Sequence, residues 1–375
     1  MSVCSFVFGV PFVVPFLREA SNLSLTSVSA YVAAPTVGLL LTLILWGAAA
    51  DRFGERAAMT AGLLTTALAI GTAAALSSHN QAITLILLAV GGAAAASVFA
   101  ANGRLTMAWF PPSERGLAMG IRQTAQPLGV ALAGLILPRL SERTGPFGAF
   151  MAPAALCVVS ALLVAVIATS SAGAASARQQ RGTTSPYETP TLWRIHLASA
   201  LLIVPQFAIS AFSMEYLVRE HHWGTAAAGG FVAVIQIAGA ISRIGAGLWS
   251  DLVGSRLRPM KHLSVAAGAV LLAFAVGDAI VPWLAIGALA VGGIVTVADN
   301  GLAYTAVAEI SGPAWSGKAL GIHNTGQNLV SSLTPLALGV VIGMAGYGIG
   351  FLTAAIAPLA AILVNPVDDE KRSDC

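Results

Sequence analysis

Residues 47–56 read GAAADRFGER and residues 247–256 read GLWSDLVGSR. In the first stretch Asp51, Arg52, Glu55 and Arg56 crowd the end of a run, Ala30 to Ala50, that contains no charged residue, and the second stretch also closes a long apolar run. Gly47, Asp51, Gly54 and Arg56 return as Gly247, Asp251, Gly254 and Arg256, each 200 residues later. Matched charge clusters at the ends of apolar runs raise two questions: what surrounds the chain, and whether one unit was copied.

Composition answers the first. Hydrophobic residues make up 57% of the 375-residue chain and charged residues only 9%, with a mean hydropathy of +0.82, against roughly 25% charged residues in soluble domains. Too few charges remain to cover a water-facing surface, so the outer face meets lipid. Lipid cannot satisfy open backbone groups, which restricts spans to helices or closed barrels. These runs are far longer than the ~10 alternating residues of a barrel strand, so the chain reads as an all-α integral membrane protein.

Charges, prolines and polar clusters punctuate twelve predicted segments, at about 3–17, 28–50, 57–76, 82–106, 114–138, 147–168, 191–217, 226–250, 262–281, 283–307, 317–343 and 346–364. The first is short and follows no positive residue, which fits neither a comfortable span nor a secretory signal peptide and suggests a truncated start. Loops on the side of GAAADRFGER carry twelve Lys and Arg residues (Arg52, Arg56, Arg115, Arg178, Arg181, Arg194, Arg256, Arg258, Lys261, Lys318, Lys371, Arg372) and the opposite loops four (Arg18, Arg139, Arg143, Arg219). That excess places both termini in the cytoplasm, with the plasma membrane the expected location. The positive residues are thus topology signals, and the net charge of +3 calls for no nucleic-acid partner. Cys4, Cys157 and Cys375 are scattered and form neither a disulfide framework nor a metal site.

The second question is answered by a repeat. A Ser, Ala, Thr, Gly and Arg-rich linker at 169–190 separates a six-helix half, 1–168, from another, 191–366, followed by a tail at 367–375. GLAMGIRQTAQPLG, from Gly116, aligns with GKALGIHNTGQNLV, from Gly317, with seven identities in fourteen positions; Asn102 and Gly103 echo Asn300 and Gly301 more weakly. The chain is a duplicated six-helix unit.

Twelve helices in two parallel halves, with G-x-x-x-D-R-x-G-x-R after the second helix, resemble the major facilitator superfamily over the whole chain. The second copy departs from that signature, with Leu252 where Arg52 stands. The resemblance implies two six-helix repeats around a central cavity, and a secondary active transporter that moves a small solute by rocker-switch alternating access, coupled to protons or to exchange. It implies no enzyme, no catalytic residues, no cofactor and no metal; the expected partners are a small-molecule substrate and membrane lipid, with the chain a monomer. The loop residues Gly47, Asp51, Arg52, Gly54, Arg56, Gly247, Asp251, Gly254 and Arg256 become candidate gates. Their glycines let helix ends approach, Asp51 can sit at the positive N-terminus of a neighbouring helix, and Arg52 and Arg56 can reach carboxylates or terminal carbonyls. Arg104 is expected to pair with the loop around Asp51. Marking topology is the plainer alternative for all of these charges.

Substrate chemistry must come from polar groups within spans, where a central charge costs roughly 2.5–3.5 kcal/mol. Arg122 and Gln126 lie at i, i+4, and His323 and Gln327 repeat that spacing at the matching positions. The pairs are candidate substrate faces, or else Arg122 and His323 bind loop carbonyls and gating carboxylates near helix starts. Gln236 and Arg243 share a face, with Arg243 about 12 Å along the axis from Asp251 at 1.5 Å per residue. Their first-half counterparts are Thr36 and Leu43, so the Arg243 charge is no part of the repeated scaffold. Its position is similar to that of arginines in anion-carrying members of the superfamily, which makes an organic or inorganic anion the candidate substrate; an ion pair with Asp299 or Glu309 is the alternative. Glu215, Asp299 and His323 are candidate proton carriers, or structural partners.

Two other functions stay open. Proton-coupled drug or metabolite efflux resembles this chain in fold, but that branch carries a Gly-Pro pair in helix five, where Gln126 precedes Pro127 and only Gly129 follows the pattern. A non-transporting receptor or assembly protein would carry an added soluble domain or long tail, and neither is visible.

Overall fold

The computed structural model describes residues 1–13, 25–76, 80–168 and 185–370. Among these the helices are α1 Ser2–Val7, α2 Leu25–Phe53, α3 Glu55–Leu76, α4 Gln81–Trp109, α5 Arg115–Gln123, α6 Ala125–Ile167, α7 Thr191–Arg219, α8 Thr225–Val253, α9 Leu257–Ile280, α10 Pro282–Val295, α11 Asn300–Val364 and the short α12 Val367–Glu370. The labels follow continuous helical runs, and some runs hold more than one membrane span. At 1.5 Å per residue α6 and α11 would each measure more than twice the ~30 Å hydrocarbon layer. The backbone leaves the helix at Gly145 in α6, and at Gly312 and Gly346 in α11, all with left-handed φ. The N-terminal stretch forms α1 and a 3-10 turn at Val10–Phe12, and the remainder of its predicted segment lies outside the described residues.

The chain divides into two compact units, one of residues 1–108 with 125–181 and one of residues 109–124 with 182–375. The start of predicted helix five, α5, thus folds with the second unit. The first unit packs around Phe6, Tyr31, Leu39, Ile70 and Phe150, with Cys157 free and buried among them. The second packs around Phe212, Tyr216, Phe274 and Phe351. Outward faces carry side chains such as Leu41, Ile44, Leu252 and Leu363, as a lipid-facing surface requires.

The repeat is legible in contacts as well as letters. In the first unit the Thr42 hydroxyl donates from α2 to the Ala93 carbonyl of α4 at 2.7 Å. In the second the Ser242 hydroxyl donates from α8 to the Ile294 carbonyl of α10, also at 2.7 Å. Hydroxyl-to-carbonyl bonds of this kind join helices where no hydrophobic force can. Gly54 and Gly254, the second glycines of the two motifs, both take left-handed φ (87° and 63°) and end their helices; a Cβ there would cost about 1–2 kcal/mol.

The units differ in what they bury. Among the described residues every buried Asn, Gln, His and Arg side chain, and buried Asp299, belongs to the second unit, whereas the first buries one charged residue, Glu55.

Candidate functional site

The second unit's charges are organised around α5. Asp251, at the end of α8, accepts the backbone N–H of Gly116 at 3.2 Å and of Leu117 at 2.9 Å. It therefore caps an end where orphan N–H groups and the helix dipole favour an anion. Arg256 donates to the same carboxylate and to the Ser250 hydroxyl at 2.6 Å, and grips Glu309 through two nitrogens at 3.2 and 3.3 Å. Burial alone would weaken the guanidinium's hold on its proton, but the hydrogen bonds and charges of Glu309 and Asp251 outweigh this and raise its pKa above the ordinary value. The backbones meet closely here: a Cβ on Gly116 would lie 2.6 Å from an Asp251 oxygen, and one on Gly247 only 2.4 Å from the Gly116 carbonyl oxygen.

The other end of α5 has a local cause. Pro127 lacks the N–H that would bond the Gln123 carbonyl four residues earlier, so the helix breaks at Thr124 and that carbonyl is left over. Arg243 of α8, only 1% exposed, donates to it. Arg243 also lies close enough to Asp299 for their charges to interact. Asp299 ends the turn Thr296–Asp299 that separates α10 from α11, is 2% exposed, and its Oδ2 accepts no hydrogen bond among the described residues.

Beside these charges runs a layer of neutral polar groups from α7 and α11. His323 Nδ1 meets His196 Nδ1 at 3.0 Å and its Nε2 meets the Ser199 hydroxyl at 3.3 Å. Gln327 donates to Ser199 at 2.6 Å and reaches Asn300 at 3.4 Å, and Asn300 donates to Gln206 at 2.9 Å. Tyr304 donates to Asn324 at 2.8 Å and places its ring edge-on to His323. At the linker end the Tyr187 hydroxyl meets His196 Nε2 at 3.0 Å.

Of the sequence-predicted residues, the structure brings together Gly247, Asp251 and Arg256 around α5, Arg243 with Asp299, and His323 with Gln327. Arg122 sits in α5, bonds the Gln123 side chain at 3.0 Å and lies over the Tyr304 ring at 5.1 Å. Gln126 lies past the break, in the first unit, so the helical register that would place the two on one face is interrupted at Thr124. Gln236 is half-buried. Glu215 stands apart in an exposed i, i+4 pair with Arg219 at 3.2 Å. Arg52 covers the Phe53 ring at 5.3 Å, Arg56 donates to the Ala165 carbonyl near the end of α6, and nothing lies within 4 Å of a Cβ built on Gly47. The side chains of Asp51 and Arg104 lie outside the described residues. No group of three His, Cys, Asp or Glu among the described residues is placed to hold a metal ion.

Sequence reasoning missed His196, Ser199, Gln206, Asn300, Tyr304, Asn324 and Asn328. A signal existed: His196, Ser199 and Gln206 fall on one face of α7, and Asn324, Asn328 and Ser331 recur at i, i+4, i+7.

The sequence profile described as Major Facilitator Superfamily matches residues 1–335. An uncharacterized MFS-type transporter of Mycobacterium tuberculosis is 40% identical over 96% of this chain and 81% of its own length. The probable nitrate/nitrite transporter NarK2 of the same organism is 26% identical over 94% and 89%. The probable galactarate/D-glucarate transporter GudP of Escherichia coli is 27% identical over 75% and 70%. Among solved structures, the E. coli fucose:proton symporter FucP aligns with a TM-score of 0.72 at 15% identity over 97% of each chain. The proton:xylose symporter XylE aligns with a TM-score of 0.74 at 16% identity, over 96% of this chain and 93% of that one.

Proposed function

The chain belongs to the Major Facilitator Superfamily, and on that premise we propose that it is a secondary active transporter of a small oxyanion, carboxylate-like or nitrate-like, working by alternating access. One observation carries the choice of an anion: Arg243 is a guanidinium buried in an apolar span, at a position where the first copy has Leu43. A central charge in a span is costly and marks function by default. Its planar fork matches the paired oxygens of carboxylate and nitrate. The relatives named for nitrate/nitrite and for galactarate/D-glucarate transport support the same chemistry.

The mechanism follows from what Arg243 already holds. The Gln123 carbonyl and an incoming anion compete for one guanidinium, so an anion that wins it releases the C-terminal end of α5. A ligand shifts a conformational equilibrium only through such a difference in affinity between states. Asp251, Arg256 and Glu309 hold the opposite end of α5 and act as the gate. Gln327, Asn300 and Gln206 supply neutral donors and acceptors for hydroxyl or carboxyl oxygens. The excess of positive loops supports a plasma-membrane location with both termini cytoplasmic, and no element of the mechanism calls for a second copy.

The test is thermal unfolding of purified protein with nitrate, D-glucarate or a cationic drug. Nitrate or D-glucarate should raise the unfolding temperature progressively with ligand concentration, and Arg243→Lys should reduce the rise at every concentration. Stabilisation by the cationic drug alone would overturn the anion reading in favour of efflux.

A further inference from the structure

From the hydrogen-bond chain Tyr187, His196, His323 and Ser199 we infer a proton path that couples transport to a pH gradient. The inference rests on the transporter reading but not on which anion is carried. The two imidazoles face each other Nδ1 to Nδ1 at 3.0 Å, so only one of those nitrogens can hold a hydrogen in the neutral pair. That one constraint orders every bond in the chain.

In the first arrangement the Tyr187 O–H donates to His196 Nε2, His196 Nδ1–H to His323 Nδ1, and His323 Nε2–H to the Ser199 oxygen. In the second each bond is reversed: Ser199 O–H donates to His323 Nε2, His323 Nδ1–H to His196 Nδ1, and His196 Nε2–H to Tyr187. The heavy-atom distances, 3.0, 3.0 and 3.3 Å, suit both. Gln327 donates to Ser199 in either.

A proton crossing the chain converts the first into the second. It bonds the Tyr187 oxygen, whose own hydrogen passes to His196 Nε2; the His196 Nδ1 hydrogen passes to His323 Nδ1, and the His323 Nε2 hydrogen to Ser199. Ser199 gives its original hydrogen to a water molecule. One proton enters and one leaves, and each O–H or N–H broken is replaced by one formed. The reverse passage restores the first arrangement.

Placement fits this role. Tyr187 is half-exposed near the end of the linker, while Ser199 and His323 are 0% and 2% exposed, and Ser199 accepts from Gln327, which also reaches Asn300, next in sequence to Asp299. Burial of the Tyr187 phenol raises its pKa, so it stays a neutral donor and acceptor. The charged groups facing the chain are Arg122, over the Tyr304 ring that abuts His323, and Lys318, over the Trp315 ring that abuts Tyr187. Arg194, two residues before His196, is engaged by Asp369 and the Val364 carbonyl. Among the described residues no carboxylate bonds either imidazole to hold a positive charge there, so a proton is passed on rather than stored.

The experiment has two arms. In the first, ¹⁵N-histidine NMR of substrate-free protein in nanodiscs compares wild type with His196→Gln and His323→Gln. One Nδ1 hydrogen shared by two rings, lost in each variant, is expected; a hydrogen on both Nδ1 atoms, or an unchanged spectrum in both variants, overturns the path. In the second arm proteoliposomes carry nitrate or D-glucarate. Accumulation driven by a pH gradient should fall about 10²-fold in His196→Gln and less in Tyr187→Phe, the scale at which a positioned proton-transfer group contributes, with counterflow at equal pH retained. Undiminished gradient-driven accumulation in both histidine variants overturns the path. If wild type moves neither probe, the anion reading fails, and the NMR arm still decides the proton path.

Discussion

Arg243 and Asp251 stand eight residues apart on α8 and hold opposite ends of α5: Asp251 accepts the Gly116 and Leu117 N–H groups at its start, and Arg243 donates to the Gln123 carbonyl at its finish. Eight residues of helix span about 12 Å and the nine of α5 about 13 Å, so the helices run antiparallel with ends in register. An anion meets the positive end of the α5 dipole and a cation its negative end. A single rigid helix thus acts as a matched clamp.

The N-terminal half of that clamp is tested by Asp251→Asn. The isostere keeps an acceptor for one N–H but loses the charge that serves both α5 and Arg256, and stability should fall by about 1–3 kcal/mol. Thermal unfolding in nanodiscs measures it; an unchanged unfolding temperature would mean that the carboxylate does not hold α5.

The C-terminal half is tested without touching Arg243. Pro127→Ala restores an N–H to the Gln123 carbonyl and removes the carbonyl as competitor for the guanidinium. Nitrate or D-glucarate should then bind more tightly, while exchange turns over more slowly because α5 no longer responds to occupancy. Equal affinity in the variant would refute the competition.

For recognition itself, Arg243→Lys preserves the charge and loses the planar fork. Affinity for nitrate or D-glucarate by calorimetry should drop at least about tenfold, equivalent to ~1.4 kcal/mol. Arg243→Ala should lose more, since Asp299 then loses the positive charge of Arg243 and repels the anion. Wild-type affinity in the lysine variant would show that point charge suffices.

Close approach makes a prediction with an internal control. Gly116→Ala and Gly247→Ala each drive a methyl into backbone or carboxylate at 2.4–2.8 Å, and overpacking of this kind costs typically 1–3 kcal/mol. Gly245→Ala, two residues away in α8 with nothing within 4 Å, should be neutral or stabilising by up to about 1 kcal/mol through helix propensity. Equal effects at Gly245 and Gly247 would sink the close-packing account.

Much of the fold was legible before any contact was known. The long charge-poor runs predicted spanning helices, and the offset of 200 predicted a copied unit, which recurs in the paired bonds of Thr42 and Ser242. Less of the site was legible. The carboxylate observed at a helix N-terminus is that of Asp251, a candidate gate to which the sequence assigned no helix end, while the side chain of Asp51, for which that role was expected, lies outside the described residues. Gln126 was paired with Arg122 by helical spacing, and Pro127, one residue on, is what breaks that spacing. In the buried layer His196 and Gln206 went unread because each stands in an apolar run, a pattern that a lone satisfied side chain produces equally well, while Asn300 and Asn324 stand directly beside Asp299 and His323, the residues that were read as chemistry.

Solvent explains the division. Membrane class, span positions and repeat were determined by sequence alone, because lipid acts on each segment separately: a run of apolar residues must become a helix whatever its neighbours are. The partner of each buried polar group was decided only by tertiary structure. Arg243 and Gln123 are 120 residues apart and His196 and His323 127 apart, and inside lipid a polar atom settles on whichever distant partner the packing of helices brings within 3 Å or so.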